Sequence, residues 1–421
     1  MKKSNKLTVY IVIAMVAGAI LGYFIHEGKD AATIDSFAKN IKLLTTIFLR
    51  LVQMIIAPLV FTTLVVGIAK LGDLKTVGRV GGKALLWFVS ASLMSLLIGL
   101  VLVNLFKPGE GMDLSVAADK SGVQDLMGKT QSFSILNFVE HVFPKSMIEA
   151  MANNEILQIV IFSIFFGVAA AAIGEPAKGF IKALDTIAHI ILKMVGYVMN
   201  FAPLGVFGAI AAVIATKGLA IFIFYGKYLL YFLIGIGALW AVLLGVGFLI
   251  LRNRVPVLLK HITTPLVIAF STTSSEAVFP KLTEELEKFG CKDKIVSFIL
   301  PLGYSFNLDG SMMYMTFASM AIAQAYGIHL DIGTQLTMLI VLMLTSKGIA
   351  GVPRASLVVV TATCAMFHIP PEGIALILPI DHFCDMFRSA TNVLGNSLAT
   401  TVVSKWEGAL DEPAPILNNN L

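Results

Sequence analysis

Charged residues are scarce in this chain of 421 residues, of which only 14% are Asp, Glu, Lys or Arg while 57% are hydrophobic. Soluble domains average about 25% charged and 45–50% apolar residues, so this composition excludes an ordinary soluble enzyme. It also excludes a disordered chain, because so apolar a sequence cannot stay solvated. The net charge of +5 comes from basic residues that lie mainly between apolar blocks, which favours membrane topology over nucleic-acid binding.

Cysteine is also rare, with only Cys291, Cys364 and Cys384 and no CxxC pair. An odd number without such a pair supports neither a disulfide framework nor a structural zinc site. Zinc proteases of membranes need two histidines four residues apart with a glutamate between them, but His26-Glu27 is followed by Asp30 at that position. The chain also lacks a GxSxG nucleophile elbow, so we expect neither an enzyme nor a cofactor.

Long apolar runs are what the chain has instead, and each is close to the roughly 20 residues that a transmembrane helix needs. The runs are residues 7–25, 51–69, 84–106, 156–174, 194–216, 228–251 and 310–330. Cytoplasmic loops carry an excess of Lys and Arg. Basic residues before the first run, after the second and at 252–254 therefore place the N-terminus in the cytoplasm. We expect six transmembrane helices within residues 1–254.

The pattern changes after residue 254, where short apolar runs are interrupted by Ser, Thr, Gly and Pro. The interruptions are TPLVIAFSTTSSEAVFP at 264–280 and LTSKGIAGVPRAS at 344–356. Neither can face lipid as coil, because each unpaired backbone group costs several kcal/mol in hydrocarbon. We predict two re-entrant helical hairpins whose polar tips meet near the middle of the membrane.

A longer apolar segment follows each predicted hairpin: residues 295–326, broken by SFNLDG at 305–310, and residues 374–403. This order predicts an internal repeat, and transporters place their binding site where two interrupted units meet. The alternative, a loop between two helices that face solvent, is disfavoured by the charge-free flanks. Residues 255–405 are thus predicted to be a transport core with hairpin 1, a broken helix 7, hairpin 2 and helix 8, before a cytoplasmic tail at 406–421.

The last of these segments carries the strongest chemistry. A helix would place six of its polar residues on one face: Asp381, Asp385, Arg388, Ser389, Asn392 and Asn396. An ionisable residue at the centre of a membrane helix costs about 2.5–3.5 kcal/mol on insertion scales, so this stripe is predicted to face the bundle and to be functional. The alternative is a set of ion pairs, such as Asp385 with Arg388, that only lock helices together.

Charge balance indicates what the stripe binds. Asp309, Asp381 and Asp385 outnumber Arg388, and buried charges must be paired or neutralised. Bound cations would neutralise the excess, with oxygen ligands from Ser305, Asn307 and the asparagines of the stripe, and protonation of the carboxylates is the other possibility. A solute that crosses here should therefore be coupled to a cation.

Arg388 and Asp385 indicate the solute itself. Arg388 offers a two-pronged donor for a carboxylate, and Asp385, one turn earlier, offers a partner for an ammonium group. An acidic amino acid satisfies both groups, whereas a C4-dicarboxylate, the alternative substrate, would leave Asp385 unpaired. Neutral amino acids rank lower because Arg388 would lack an anionic partner. A passive channel is disfavoured because channels seldom need a two-hairpin gate around a charged stripe.

These segments resemble the dicarboxylate/amino acid:cation symporter family, to which the glutamate transporters belong, over nearly the whole chain. The motifs that carry the resemblance are RLVQMIIAPLVFTTLVVG at 50–67, AFSTTSSEAVFP at 269–280, SFNLDGS at 305–311, TSKGIAGVP at 345–353 and DMFRSATNVLGN at 385–396. The resemblance implies an all-α polytopic membrane protein with eight transmembrane helices plus two re-entrant hairpins, inverted repeats and an elevator-type mechanism. It also implies a homotrimer in the cell membrane, surrounded by lipid, with both termini cytoplasmic.

Roles for individual residues also follow from the resemblance. It implies substrate contacts from Ser274, Ser275, Ser311, Val352, Asp385, Arg388, Ser389 and Asn392. It implies Na⁺ ligands from Gly303, Ser305, Asn307, Asp309, Ser346, Asn392 and Asn396. Asn396 stands where sodium-only relatives carry an aspartate, and Phe88 and Ala91 lie where hydroxyls are expected, so fewer Na⁺ ions or coupling to H⁺ are plausible. Glu276, beside the first tip, is the candidate proton carrier, and its alternative role is a hairpin cap or an ion pair.

Overall fold

Helices account for nearly all of the chain that the computed structural model describes, which is residues 3–71, 74–112, 143–219, 225–346 and 355–412. Within those ranges there is no β-strand, and the one isolated bridge joins Cys291 to Leu410. Seven helical stretches among them are long and apolar enough to cross a membrane. The expectation of an all-α, multi-pass membrane protein is therefore confirmed, while the count of eight spans and two hairpins stays a prediction.

The first half of the chain forms long, mostly continuous helices. They are α1 Lys3–Gly28, α2 Ala31–Leu71, α3 Leu74–Phe106, the short α4 Met147–Ala152, α5 Ile156–Ile173, α6 Lys178–Val198, α7 Ala202–Lys217 and α8 Gly226–Leu251. Large apolar side chains point outward from them, such as Phe24, Leu86 and Leu249, which are 67%, 64% and 78% exposed. In a membrane these faces would contact lipid.

Two of these helices begin well before the apolar runs that predicted them. The first 20 residues of α2 carry Asp35, Lys39 and Lys42, and α6 carries charged residues along its length, so a search for apolar windows passes over both segments. The start of α2 is fixed by Asp30, whose carboxylate accepts hydrogen bonds from the backbone N–H (3.2 Å) and the hydroxyl (2.6 Å) of Thr33. This is the usual way to satisfy free N–H groups at a helix N-terminus.

The second half of the chain is built from shorter, interrupted helices. They are α9 Arg254–Thr272, α10 Phe279–Lys288, α11 Asp293–Phe306, α12 Asp309–Ala325, α13 Ile332–Thr345, α14 Ala355–Met366 and α15 Leu378–Trp406. Every residue of α12 from Asp309 to Ala323 is buried. Helices α3 and α15 pack on α12, and α9 packs on α15. Helix α12 therefore lies at the centre of the molecule.

Both interruptions that predicted hairpin tips fall between pairs of helices that contact each other. Helix α9 ends at Thr272, Thr273 adopts a left-handed conformation (φ 54°), and a 3₁₀ turn at Glu276–Val278 leads into α10. Helices α13 and α14 also contact each other, but residues 347–354 between them, which include Val352, lie outside the described part of the chain. Insertion of either pair into the membrane from one side stays a prediction.

The break predicted at SFNLDG separates α11 from α12. Helix α11 ends at Phe306 and α12 begins at Asp309, and both Asn307 and Asp309 are fully buried. The alternative of a loop between helices that face solvent is therefore wrong.

The end of α15 is tied to the start of α3. Glu407 accepts hydrogen bonds from Arg79 (2.9 Å) and Lys83 (2.6 Å), and the ring of Trp406 contacts that of Trp87. Burial alone would raise the pKa of Glu407, but the hydrogen bonds and charges of Arg79 and Lys83 outweigh it and hold the pKa below its usual value. This ion cluster fixes two helices of the centre at one end.

Candidate functional site

Arg388 lies between two carboxylates of its own helix. Its side chain is 2% exposed, with Nη2 2.8 Å from Oδ1 of Asp385 and Nη1 3.2 Å from Oδ1 of Asp381. Spacings of three and seven residues put all three side chains on one face of α15, as the sequence predicts. Internal ion pairing, considered above as an alternative, is thus part of this structure.

Tyr314 completes the surroundings of Arg388 from helix α12. Its hydroxyl donates a hydrogen bond to Oδ1 of Asp381 (2.8 Å), and the Cζ atom of Arg388 lies 4.0 Å from the centre of its ring. A guanidinium over an aromatic face is stabilised by the ring quadrupole. Tyr314 could not be predicted from the sequence, because a helix buried on all sides has no hydrophobic periodicity that would single out one position.

The two carboxylates differ in how accessible they are. The side chain of Asp381 is 4% exposed and that of Asp385 is 27% exposed. Asp381 is held by both Arg388 and Tyr314, whereas Asp385 bonds to Arg388 and keeps part of its side chain exposed. The cluster therefore has a fixed partner and an accessible partner for the same guanidinium.

Asn392 caps helix α12 from a distant part of the chain. Its Oδ1 accepts hydrogen bonds from the N–H groups of Gly310 (2.9 Å) and Ser311 (3.3 Å), and its Nδ2 donates to Oγ of Ser311 (3.2 Å). The first N–H groups of a helix have no partner within that helix, and here a side chain 82 residues later supplies one. Ser311 and Asn392, both expected at the substrate, thus lie together at the start of α12.

Four of the expected cation ligands also lie together. Nδ2 of Asn307 donates hydrogen bonds to Oδ2 of Asp309 and to Oδ1 of Asn396, both at 3.2 Å. A Cβ atom on Gly303 would lie 2.4 Å from Oδ1 of Asn396, and one on Gly395 would lie 2.0 Å from Oδ2 of Asp309. Only glycine at these two positions allows the polar atoms of three helices to come this close.

The donor atoms of this cluster suit a hard monovalent cation. Oδ1 of Asn307 and Oγ of the neighbouring Ser305 are buried and make no hydrogen bond with the described residues, and such neutral oxygens are what hard cations prefer. Asp309 supplies a single negative charge. Among the described residues no three His, Cys, Asp or Glu side chains form a group that could hold a metal ion.

Three more of the expected substrate contacts belong to α15 and to the turn that follows α9. Ser274 and Ser275 follow the end of α9, which is placed against α15 by the perpendicular rings of Phe270 and Phe387, 5.0 Å apart. Ser274 accepts a hydrogen bond from the N–H of Ala277 (3.1 Å), so its hydroxyl stabilises the turn. Ser389 is buried on α15 beside Arg388.

Ser346 and Glu276 belong to elements other than the helix that carries the ion pairs. Ser346 is buried at the end of α13 and donates to the carbonyl of Met343 in its own helix (3.1 Å). Glu276 begins the 3₁₀ turn before α10, and Glu155, next to the start of α5, acts on it electrostatically. Phe88 and Ala91 are buried in α3, and the hydroxyl of Ser92 reaches the carbonyl of Phe306 at the helix break (3.4 Å).

Comparison with known proteins gives concordant results. The model of the sodium:dicarboxylate symporter family matches residues 7–406. A C4-dicarboxylate transport protein of Acinetobacter baylyi is 40% identical over 96% of this chain and 91% of its own length, and one of Bacillus subtilis is 38% identical over 99% and 97%. A proton/sodium-glutamate symport protein of Geobacillus stearothermophilus is 39% identical over 96% of this chain and 94% of its own length.

Proposed function

Because the chain belongs to the sodium:dicarboxylate symporter family, we propose that it takes up an acidic amino acid, L-glutamate or L-aspartate, together with Na⁺, H⁺ or both. Symport itself follows from the family. The choice of an amino acid rests on one observation, the accessible carboxylate of Asp385 beside Arg388.

An acidic amino acid can exchange partners with this ion pair. Its side-chain carboxylate takes the place of Asp385 on Arg388, and its ammonium group takes the place of Arg388 on Asp385. Each charge thus remains paired, which matters because an unpaired buried charge is costly. Asp381 keeps its contacts with Tyr314 and Arg388, so the guanidinium stays oriented while the substrate binds.

A C4-dicarboxylate is the second candidate, because two of the relatives described above are C4-dicarboxylate transport proteins. Such a substrate would separate Arg388 from Asp385 and bring no cation for the carboxylate that is left. The two candidates therefore differ in what Asp385 does, and this difference can be tested.

The cation cluster gives the coupling a physical basis. Asp309 adds a negative charge next to the amides of Asn307 and Asn396, and a bound Na⁺ would neutralise it. Glu276 is the proposed proton carrier, because it is the carboxylate of the turn between α9 and α10. We propose Ser275, Ser311, Ser389 and Asn392 as further substrate contacts, and Ser305 and Ser346 as further Na⁺ ligands.

Alternating access is proposed to follow the elevator mechanism that the resemblance implies. The interrupted helices α9–α15, together with some helices of the first half, would move as a transport domain against the scaffold, which would come mainly from the second, fourth and fifth predicted spans. The turn between α9 and α10 and the α13–α14 connection would act as gates. The assembly would be a homotrimer.

The test of substrate class is uptake into proteoliposomes. Radiolabelled L-glutamate, L-aspartate and succinate are offered in turn under separately imposed Na⁺ and H⁺ gradients. The proposal expects uptake of an acidic amino acid driven by at least one of the two gradients, and little uptake of succinate. Uptake of succinate without uptake of either amino acid would show that Asp385 does not bind an ammonium group.

Two variants connect the result to the site. Asp385→Asn should reduce amino-acid uptake about 30-fold or more, because losing one partner of a charge pair in a binding site costs about 2–5 kcal/mol or more. Arg388→Cys should abolish acidic uptake and allow neutral amino acids. Asp35→Asn, at an exposed position on α2, is the matched control and should transport normally.

A further inference from the structure

The chain continues past α15 as a short segment that lies against the ends of other helices of the second half. Residues 408–412 are named the clamp segment here. Gly408 turns the chain with a positive φ of 61°, and Leu410 then pairs with Cys291 in an antiparallel bridge. Cys291 belongs to the connection between α10 and α11. The clamp segment therefore joins the end of α15 to the end of α10.

Two backbone hydrogen bonds hold this bridge. The N–H of Lys292 donates to the carbonyl of Ala409 (3.1 Å). The N–H of Asp411 donates to the carbonyl of Gly290 (2.9 Å). A Cβ atom on Gly290 would lie 2.3 Å from the carbonyl oxygen of Asp411, and the φ of Gly290, +109°, is one that other residues rarely adopt. Glycine at this position thus allows the two segments to approach closely.

Arg254 ties the same segment to the start of α9. Its Nη1 donates a hydrogen bond to the carbonyl of Asp411 (2.9 Å), and its Nη2 forms an ion pair with Glu412 (2.5 Å). The side chain of Glu412 is 88% exposed, so the ion pair should contribute little and the bond to the carbonyl should contribute more. Both ends of the α9–α10 pair are therefore bound to the residues that follow α15.

The helices joined in this way carry different parts of the candidate substrate site. Ser274 and Ser275 lie in the turn between α9 and α10, whereas Arg388 lies on α15. Helix α9 has 19 residues, which is about 28 Å at a rise of about 1.5 Å per residue. Near the turn, Phe270 packs on Phe387 of α15, and at the other end the clamp segment holds the base of the pair. Two contacts far apart along α9 thus fix its position on α15.

We propose that residues 408–412 are a positioning element of the transporter, which holds the base of the α9–α10 pair on α15 and so keeps Ser274 and Ser275 in place relative to Arg388. The clamp segment stays closed throughout the transport cycle and is not a gate. This inference rests on the proposed substrate contacts of these three residues. It does not depend on whether the solute is an amino acid or a dicarboxylate.

Loosening the clamp segment should weaken substrate binding without slowing the carrier. Arg254→Gln removes both contacts of the guanidinium, and should raise the KM for uptake about fivefold while Vmax changes less than about twofold. A loss of folded protein alone would lower Vmax and leave KM unchanged. Arg252→Gln is the matched control, because Arg252 lies two residues earlier and is exposed, and its KM should equal that of the wild type.

A disulfide across the bridge tests whether the clamp segment stays closed. The two hydrogen bonds join the neighbours of Cys291 and Leu410, and the Cα atoms of such a non-hydrogen-bonded pair are about 4.5 Å apart. This distance is within the range of disulfides, so Leu410→Cys can be cross-linked to Cys291. Burial raises the pKa of the Cys291 thiol to about 12. The thiol therefore stays protonated, and in the wild type it should not react with the oxidant.

The cross-link is made in the double variant Arg254→Gln with Leu410→Cys, in proteoliposomes, with diamide as the oxidant. Oxidation should bring KM back to within about twofold of the wild type, and a reductant should raise it again about fivefold. Uptake should continue while the disulfide is present. Adding Cys291→Ser to the double variant is the control, and that protein should not respond to the oxidant. Uptake is measured with whichever of glutamate, aspartate or succinate the wild type carries.

Three results would overturn the proposal. The first is an unchanged KM in Arg254→Gln. The second is uptake that stops on oxidation and returns on reduction, because the clamp segment would then have to open during transport. The third is failure of the cross-link to form. If Arg254→Gln does not fold, Asp411→Pro removes the N–H donor to Gly290 instead. Since each variant is compared with the wild type on the same solute, these outcomes remain decisive if that solute is not an acidic amino acid.

Discussion

The two halves of the chain use polar residues in different ways. In α1–α8 the backbone is mostly satisfied within each helix, and the outer faces are apolar. In α9–α15 the helices stop inside the protein, and side chains from other helices complete them, as Asn392 does for α12. Unpaired backbone groups are not tolerated in hydrocarbon, so every break requires a polar partner nearby. The candidate binding residues therefore cluster where the secondary structure is interrupted.

An ion pair should contribute much more to the free energy of unfolding at the centre of the protein, around Arg388, than at its edge, around Glu407. Asp381→Asn leaves Arg388 with Asp385 alone inside the protein, and we expect a loss of about 3 kcal/mol, the lower end of the range for breaking a buried pair. Glu407→Gln, the matched control, removes a carboxylate that is itself 6% exposed, but its partners Arg79 and Lys83 are 53% and 33% exposed and can be solvated when it is lost. It should therefore cost about 1 kcal/mol or less. Thermal inactivation of both variants in detergent measures the difference. Equal losses would contradict the distinction between centre and edge.

Glycine should likewise matter only where helices approach closely. A Cβ atom on Gly310 would lie 2.6 Å from the carbonyl oxygen of Arg388 and 2.8 Å from Cβ of Thr391, so Gly310→Ala must displace backbone and should cost about 1–3 kcal/mol. On α8, Gly245 has no atom within 4 Å of that position. Gly245→Ala should be neutral or should stabilise by about 0.5–1 kcal/mol, because alanine suits a helix better. The melting temperature of Gly310→Ala should therefore be clearly lower than that of Gly245→Ala. An equal shift in both variants would argue against the close packing of α12 on α15.

A hydrogen bond between two side chains connects α8 of the first half to the polar helix α15 of the second. The indole N–H of Trp240 donates to Oγ1 of Thr391 (2.8 Å). Trp240→Phe keeps an aromatic ring but loses the donor, and should lower stability by about 0.5–1.5 kcal/mol. Trp87→Phe is a control, since the indole nitrogen of Trp87 has no hydrogen-bond partner among the described residues. A smaller loss of stability in Trp240→Phe than in Trp87→Phe would show that the hydrogen bond from Trp240 to Thr391 contributes nothing.

The smallest expected effect is on the pH dependence of stability, and it comes from Glu407 with Arg79 and Lys83. The pKa of Glu407 is lowered in the folded protein, so the ionised form is favoured by folding and its contribution is complete above the ordinary carboxyl pKa of about 4.5. The contribution is lost as the pH falls from there through the lowered pKa. Between pH 6 and 3, the stability of Glu407→Gln should therefore fall slightly less than that of the wild type. An identical pH dependence of the two proteins would mean that Arg79 and Lys83 do not stabilise the charge.

Sequence alone predicts the breaks well because each one places polar residues where apolar residues are expected. SFNLDG stands in a charge-free segment, and the structure interrupts the helix at Asn307 and Leu308. The stripe on α15 is predicted from spacing, and its residues are buried apart from the partly accessible Asp385. Tyr314 and Gly395 could not be predicted, because their roles depend on which atoms of another helix lie opposite. The early start of α2 was not predicted, because Asp35, Lys39 and Lys42 lower the mean hydropathy of the first part of this helix.

The cap that Asn392 provides for α12 has a consequence for biosynthesis. The N–H groups of Gly310 and Ser311 lack this hydrogen-bond partner until Asn392, 82 residues after Gly310, has been synthesised. At a synthesis rate of about 5–20 residues per second, this delay is roughly 4–16 s. During that interval the newly made α12 has an incomplete end in or near the membrane. Retention of this segment by the insertion machinery, or temporary pairing with water, would have to protect it until α15 arrives.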